Sequence, residues 1–214
     1  MPRPDTGTRQ KLIDTASDLI WTSSYGSVSV DDICKAADVK KGSFYHYFPS
    51  KQDLAITAME EYYEHVVKPD MENLFSSDLT ALQRLERMAD SVVQEQRDTL
   101  KKYGRVCGCP FGALASEMIG EEAQNIAEKV CEMFSRCKHY MRQVLAQAAK
   151  EGLIKSDEID SKTEEVHDFV TGLMMMARIH NSIEGLERDL KTGVARILGV
   201  SDNDIEPQEI SRRN

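Results

Sequence analysis

The chain reads as an all-α protein, with a compact N-terminal unit of three short helices followed by a larger helical bundle. Three observations predict this. Apolar residues recur at three- and four-residue spacing almost everywhere, the period of a helix rather than a strand. Only six prolines and twelve glycines punctuate 214 residues, so the breaks are few and can be placed. Charge is unevenly shared. Residues 1–51 hold seven basic and six acidic side chains, a balance of +1, and the remainder holds 20 basic and 30 acidic, a balance of −10. A locally basic head on an acidic body points to a head that meets an anion.

Composition removes several classes. At 41% apolar and 29% charged, the chain is neither fibrous nor disordered. The longest run without a charge, Leu19 to Val30, is twelve Ser-rich residues, short of the roughly 18–20 apolar residues of a membrane span. Met-Pro-Arg-Pro-Asp at the start lacks the apolar core of a secretory signal. Five cysteines, an odd number, read as reduced thiols. These features predict a cytoplasmic protein with no membrane partner. A pI near 5.1 argues against non-specific coating of nucleic acid.

Leu12, Ile13, Ala16, Leu19 and Ile20 form the stripe of a first helix, which ends at Ser23-Ser24-Tyr25-Gly26. Ser29 with Asp32 fits a capping box that opens a second helix through Asp38. A third covers Gly42 to Phe48. Pro49 ends it, and Ser50 with Asp53 opens a long helix toward Val67 or beyond. Five or six helices follow, with breaks near Ser76-Ser77-Asp78, Tyr103-Gly104, Gly108 to Pro110, Gly120, Gly152 and Gly185. Glu121 to Glu151 carries the most sustained apolar seam, from Ile126 to Ala148, with Glu132 and Arg136 paired on its exposed side. The expected units are residues 1–50, 51–200 and a polar tail over 201–214.

In the second helix Ile33, Ala36, Ala37 and Val39 face one core, and the small alanines allow a third helix to cross closely. Phe44 and Phe48 supply that helix's buried pair. Lys41, Gly42, Ser43, Tyr45, His46 and Tyr47 are left on or near its outer face, the arrangement of a helix that enters the major groove of DNA.

The run Val30 to Leu54, above all Gly42-x-x-Tyr45-x-Tyr47-Phe48-x-x-Lys51-x-x-Leu54, resembles the TetR (tetracycline-repressor) family of bacterial transcriptional regulators. The motif likeness spans about residues 8–60. It implies phosphate or thymine-methyl contacts for Tyr45 and Tyr47, a groove or phosphate contact for His46, and a phosphate contact for Lys51. Ser29 would touch the DNA backbone, and Lys41, Gly42 and Ser43 would lie nearest the bases. Two positions depart from the family: Lys40 replaces a common Ser cap, and would reach a phosphate instead, and Asp38 replaces the usual turn Gly.

One head makes few contacts, so a palindromic duplex read by two heads about 34–36 Å apart calls for a homodimer. Val166, Phe169, Val170, Leu173 and Ala177 form one apolar face near the C-terminus. Met176, Ile179, Ile183, Leu186 and Leu190 form another. A segment apolar on two sides is buried on two sides, and the second face is the expected dimer interface, in agreement with the family resemblance. Glu184–Arg188 and Glu187–Lys191 would decorate its edge. The resemblance also implies an effector pocket for an unidentified small molecule, with Met88, Val92, Phe111, Leu114, Phe134, Met174 and His180 as candidate lining.

Cys107-Gly-Cys109-Pro-Phe-Gly112 is the most unusual stretch of the body. Structural thiols, a redox or electrophile switch with a Cys107 thiolate near Arg105, and a metal site with Cys131, Cys137 or His139 are the alternatives. Cys-x-Cys spacing is poor for structural zinc. No catalytic constellation or cofactor motif is present. The functional expectation is a ligand-responsive DNA-binding repressor, not an enzyme. The alternatives are a helical-bundle interaction protein and a thiol-sensing repressor using Cys107 and Cys109.

Overall fold

The computed structural model describes residues 7–76, 78–117 and 124–200, and every regular element among them is helical. The head holds α1 (Thr8–Thr22), α2 (Val30–Ala36) and α3 (Lys41–Tyr47). Both predicted caps form. Ser29 Oγ accepts the Asp32 N–H while the Asp32 carboxylate accepts the Ser29 N–H, and Ser50 Oγ accepts the Asp53 N–H. The α2–α3 turn puts Asp38 at φ 51°, the left-handed conformation that the family's glycine would adopt freely. Leu12, Ile33, Ala37 and Phe44 are fully buried beneath it, joined by Phe48. Leu54 and Ala58, from beyond residue 50, complete the same core.

They belong to α4 (Lys51–Tyr62), which continues through a π-helical segment, Tyr63–Val67, into α5 (Lys68–Ser76). Pro69 explains the irregularity: it offers no N–H to the His65 carbonyl and its ring crowds that carbonyl, so the pairing loosens one turn earlier. The body adds α6 (Ala81–Tyr103), α7 (Pro110–Ser116), α8 (Gln124–Lys150), α9 (Ile159–His180) and α10 (Glu184–Leu198). Leu85 and Val93 of α6, Val144 and Leu145 of α8, Val166 and Met174 of α9, and Leu186, Leu190 and Leu198 of α10 share one core. A separate core of Ala55, Met59, Phe111, Ile126, Val130 and Met133 joins α4 to α7 and α8.

Helices α9 and α10 cross closely because α10 has no side chain at the contact. A Cβ on Gly193 would lie 2.0 Å from the Phe169 ring. The breaks at Gly104, Gly108–Pro110 and Gly152 fall as expected. The last one differs: Asn181, at φ 50°, ends α9, and Gly185 lies in the first turn of α10. The break near Ser76–Asp78 falls as expected between α5 and α6, Ser77 itself lying outside the described residues, as do the expected break at Gly120 and the tail over 201–214. The ion pairs of α10 also differ from expectation. Glu187 pairs with Arg97 and Lys191 with Asp90, both on α6, and Arg188 pairs with its neighbour Asp189. Reaching a facing helix serves these side chains better than folding back along their own.

Candidate nucleic-acid interface and effector cleft

Helix α3 buries Phe44 and turns its other side outward. Lys40, Lys41, Gly42, Tyr45 and His46 are exposed, with Tyr45 51% accessible, and Ser43 and Tyr47 are half-buried. Tyr45 stands edge-on to Phe44 with ring centres 5.2 Å apart, and His46 meets Tyr47 edge-on at 5.0 Å. The surface is thus built of aromatics braced from below. Lys40 takes the N-cap position without a side-chain cap bond. Lys41 pairs with Asp31 of α2 at 2.8 Å, and that carboxylate raises its pKa. Ser29, exposed at the start of α2, is occupied as a cap.

Lys51 corrects the reading of it as a free phosphate ligand. Its ammonium donates to the carbonyls of Tyr25 and Val28, both at 2.8 Å, and lies 4.0 Å above the centre of the Tyr25 ring. Burial lowers its pKa. The first task of Lys51 is to tie α4 to the α1–α2 connection, which fixes the head's shape.

The body opens a cleft of about 880 Å³ between the Tyr62–Met71 stretch and α6. Met88 and Val92 line it as expected, together with Trp21, Tyr62, Glu95 and Tyr103, which the sequence reading missed. The remaining expected lining residues are elsewhere. Phe111 and Met174 are buried in the cores, Phe134 is wedged between Phe111 and His167, and His180 is exposed at the end of α9. Leu114 instead borders a hollow of about 60 Å³ beneath Trp21 and Tyr62. A signal for Glu95 was present. Met88, Val92, Glu95 and Thr99 share one α6 face, where two polar residues interrupt an apolar stripe. Tyr62 donates a hydrogen bond to the Glu95 carboxyl, and burial pushes the Glu95 pKa up to about 7.

Trp21 belongs to α1, so the head itself forms part of the cleft wall. Its indole donates to the Gly108 carbonyl at 3.1 Å. Arg178 of α9 donates to the carbonyls of Trp21 at 2.8 Å, Ser23 at 3.0 Å and Cys107 at 2.6 Å. Tyr103 donates to Asp18, and Arg105 donates to the Thr22 carbonyl. The last turn of α1 is therefore held from both α6 and α9.

The thiols are not activated as the Arg105 idea required. Cys107 is fully buried, and burial raises its pKa more than Arg178 and Arg105 lower it. Burial lifts Cys109 to about 11 and Cys137 to about 12. Cys109 caps α7, its sulfur accepting the Gly112 N–H at 3.5 Å, and Cys131 is the exposed thiol. Among the described residues no group of three or more His, Cys, Asp or Glu side chains is placed to hold a metal.

The expected dimer face divides. Leu186 and Leu190 are 1% exposed inside the subunit core, and Ile183 is partly packed on it. An unbroken helical phase from Met176 to Leu190 predicts them outward, but the chain turn after Asn181 resets that phase. Met176 and Ile179 of α9 stay open, at 46% and 64% accessible. No helix among the described residues is long and apolar enough to cross a membrane.

Comparison with known proteins accords with this anatomy. The sequence model of the tetR family of bacterial regulatory proteins matches residues 12–58, and that of the tetracyclin repressor-like C-terminal domain matches residues 81–192. The transcriptional regulator AcuR of Cereibacter sphaeroides is 34% identical over 119 residues. That match spans 54% of this chain and about half, 51%, of AcuR. The regulatory protein TetR from Rhodobacter sphaeroides superposes with a TM-score of 0.75 at 25% identity, over 91% of this chain and 98% of that one. A cysteine mutant of the TetR-family regulator CifR, complexed with a 26-bp double-strand operator, shares the fold at TM-score 0.74 and 18% identity, over 92% of this chain and 98% of its own. The chain belongs to the TetR family of helix-turn-helix transcriptional regulators, proteins that bind operator DNA, respond to ligands and are not enzymes.

Proposed function

We propose that this chain is a cytoplasmic homodimeric repressor which leaves a palindromic operator when a small molecule fills the α6 cleft. Residues 1–50 read DNA, and residues 51–200 sense the ligand and pair the subunits. The observation that carries the reading is Trp21. It sits in the cleft, yet its helix also supplies Leu12, Ile13 and Ala16 to the core under the DNA-facing surface. A ligand pressing on Trp21 acts on the head directly. A preference of only ~1–3 kcal/mol for the shifted head would give useful control.

Tyr45, His46 and Lys41 on α3 and Lys40 before it supply the groove and phosphate contacts, with Gly42 and Ser43 nearest the bases. The operator complex of CifR, on the same fold, supports this use of the head. The open Met176–Ile179 stripe of α9 supports a twofold seam between subunits. Duplex from the gene's own upstream region should give a sequence-selective, salt-sensitive band in a gel shift. Tyr45→Ala should weaken that band at least tenfold without changing helicity or mass. Absence of any selective band would favour an interaction protein without specific DNA binding. Ile179→Glu should yield a monomer by sedimentation velocity, and an intact dimer would move the seam elsewhere.

A further inference from the structure

The walls of the cleft disclose what kind of molecule it takes. Its apolar surface comes from Trp21, Tyr62, Met71, Met88 and Val92, with Tyr103 at one end. Trp21 and Tyr62 meet edge-on with ring centres 5.6 Å apart, leaving π-faces for a guest. The charges around it are lopsided. Asp70, Asp90, Glu95 and Asp98 stand against Arg97 and Lys102. Both bases are already engaged: Arg97 pairs with Glu187, and Lys102 pairs with Asp18 while its ammonium lies 4.4 Å above the centre of the Tyr103 ring and occupies that face. Asp90 is answered by Lys191. Among the described residues Asp70, Glu95 and Asp98 stay in no ion pair, and Glu95 is the most deeply buried of the three.

We propose that the cleft binds a lipophilic organic monocation, an amine or quaternary onium, seated on the Trp21 and Tyr62 rings with its charge against the Glu95 carboxylate. The inference rests on the cleft being the effector site and names the ligand class for it. Aromatic faces attract cations through their quadrupoles. A neutral guest would leave a desolvated carboxyl uncompensated, and an anion would face three acids. Methionines let such a site adapt to several hydrocarbon shapes.

Protons compete with the guest at Glu95. The groups that act on it are the Tyr62 hydroxyl from α4, the Gln96 amide beside it on α6, and the Cys109 thiol, which is neutral because burial holds its pKa near 11, while Asp70, Asp90, Arg97, Asp98, Lys102 and Tyr103 line the same cleft. A permanent cation should bind about tenfold tighter at pH 8 than at pH 6, following the ionised fraction of a carboxyl that titrates near 7.

Trp21 is the one tryptophan of the sequence, so its fluorescence reads occupancy. The probes are tetraphenylphosphonium, triphenylphosphine oxide and tetraphenylborate, similar in shape and differing in charge. The full-length protein should bind the phosphonium at least tenfold tighter than the other two, with the stated pH dependence. Glu95→Gln should abolish both the preference and the pH dependence while leaving weak binding of the phosphine oxide. Equal or tighter binding of the neutral or anionic probe, or a flat pH profile in the unaltered protein, would overturn the cation assignment and leave the cleft as a site for another ligand class. Failure of all three probes to perturb Trp21 would remove the effector cleft itself, and the cation with it.

Discussion

Glu95 shows how one side chain ties the cleft to the energetics of the whole fold. Its carboxyl ionises near 4.5 in the unfolded chain and near 7 in the folded one. Below pH 4.5 both states hold the proton and burial costs little. As pH rises from 4.5 through 7 the unfolded state ionises freely while the folded state must keep the proton or bury a charge, so stability falls across that window. Glu95→Gln removes the penalty. The variant should be more stable than the parent by about 2 kcal/mol at pH 8 and indistinguishable at pH 4.5, as read by urea unfolding. Asp38 is a smaller case of the same kind. Held at φ 51°, it should gain about 0.5–1 kcal/mol on replacement by glycine, seen as a higher melting temperature. Asp38 was legible in advance, because it stands in a motif whose turn geometry is fixed. Glu95 was legible only in part: its place on one α6 face with Met88, Val92 and Thr99 can be read locally, but its burial in a cleft depends on which helix faces α6.

At the scale of elements, helices with caps and strong periodicity were readable and their partners were not. Ser29–Asp32 and Ser50–Asp53 announce α2 and α4, since a cap is made within four residues. The stripe on Leu186 and Leu190 was equally visible, but an apolar face does not say whether its own subunit or another covers it. The π segment before Pro69 is encoded less plainly, because a proline signals a break or a bulge without saying which. The α9–α10 crossing gives a sharp test. Gly193→Ala should cost about 1–3 kcal/mol, because the methyl would enter the Phe169 ring and force it aside. Pairing it with Phe169→Leu should recover part of that loss. Strict additivity in the double-mutant cycle would deny the contact.

For the molecule as a whole, the junction between head and body decides whether sensing and DNA binding are linked. Arg178 donates to carbonyls on both sides, Trp21 in α1 and Ser23 capping it, and Cys107 before α7. A rigid last turn of α1 transmits displacement, and a loose one absorbs it. Arg178→Ala should therefore keep operator affinity within a fewfold and keep quenching of Trp21 by a bound ligand, yet lose most of the ligand-driven release from DNA. Anisotropy titrations with and without ligand would measure this, and undiminished release would place the coupling elsewhere. The family motif made the head legible over about a quarter of the chain. The junction was hidden because its members come from positions 18–23, 102–108 and 178, which only the assembled fold brings together.

The contact between Asp31 and Lys41 bears on how the protein searches a genome. A lysine awaiting DNA normally carries loose counterions, whose release drives attachment to any polyanion. Lys41 already holds a tethered carboxylate at 2.8 Å, so gripping a phosphate exchanges one bound anion for another and frees little salt. Random duplex and RNA thus gain less from it than from an unencumbered ammonium, while a correctly shaped site still repays the exchange through its base edges. If α3 reads DNA as proposed, Asp31 would act as a brake on indiscriminate adhesion beside the helix it pairs with.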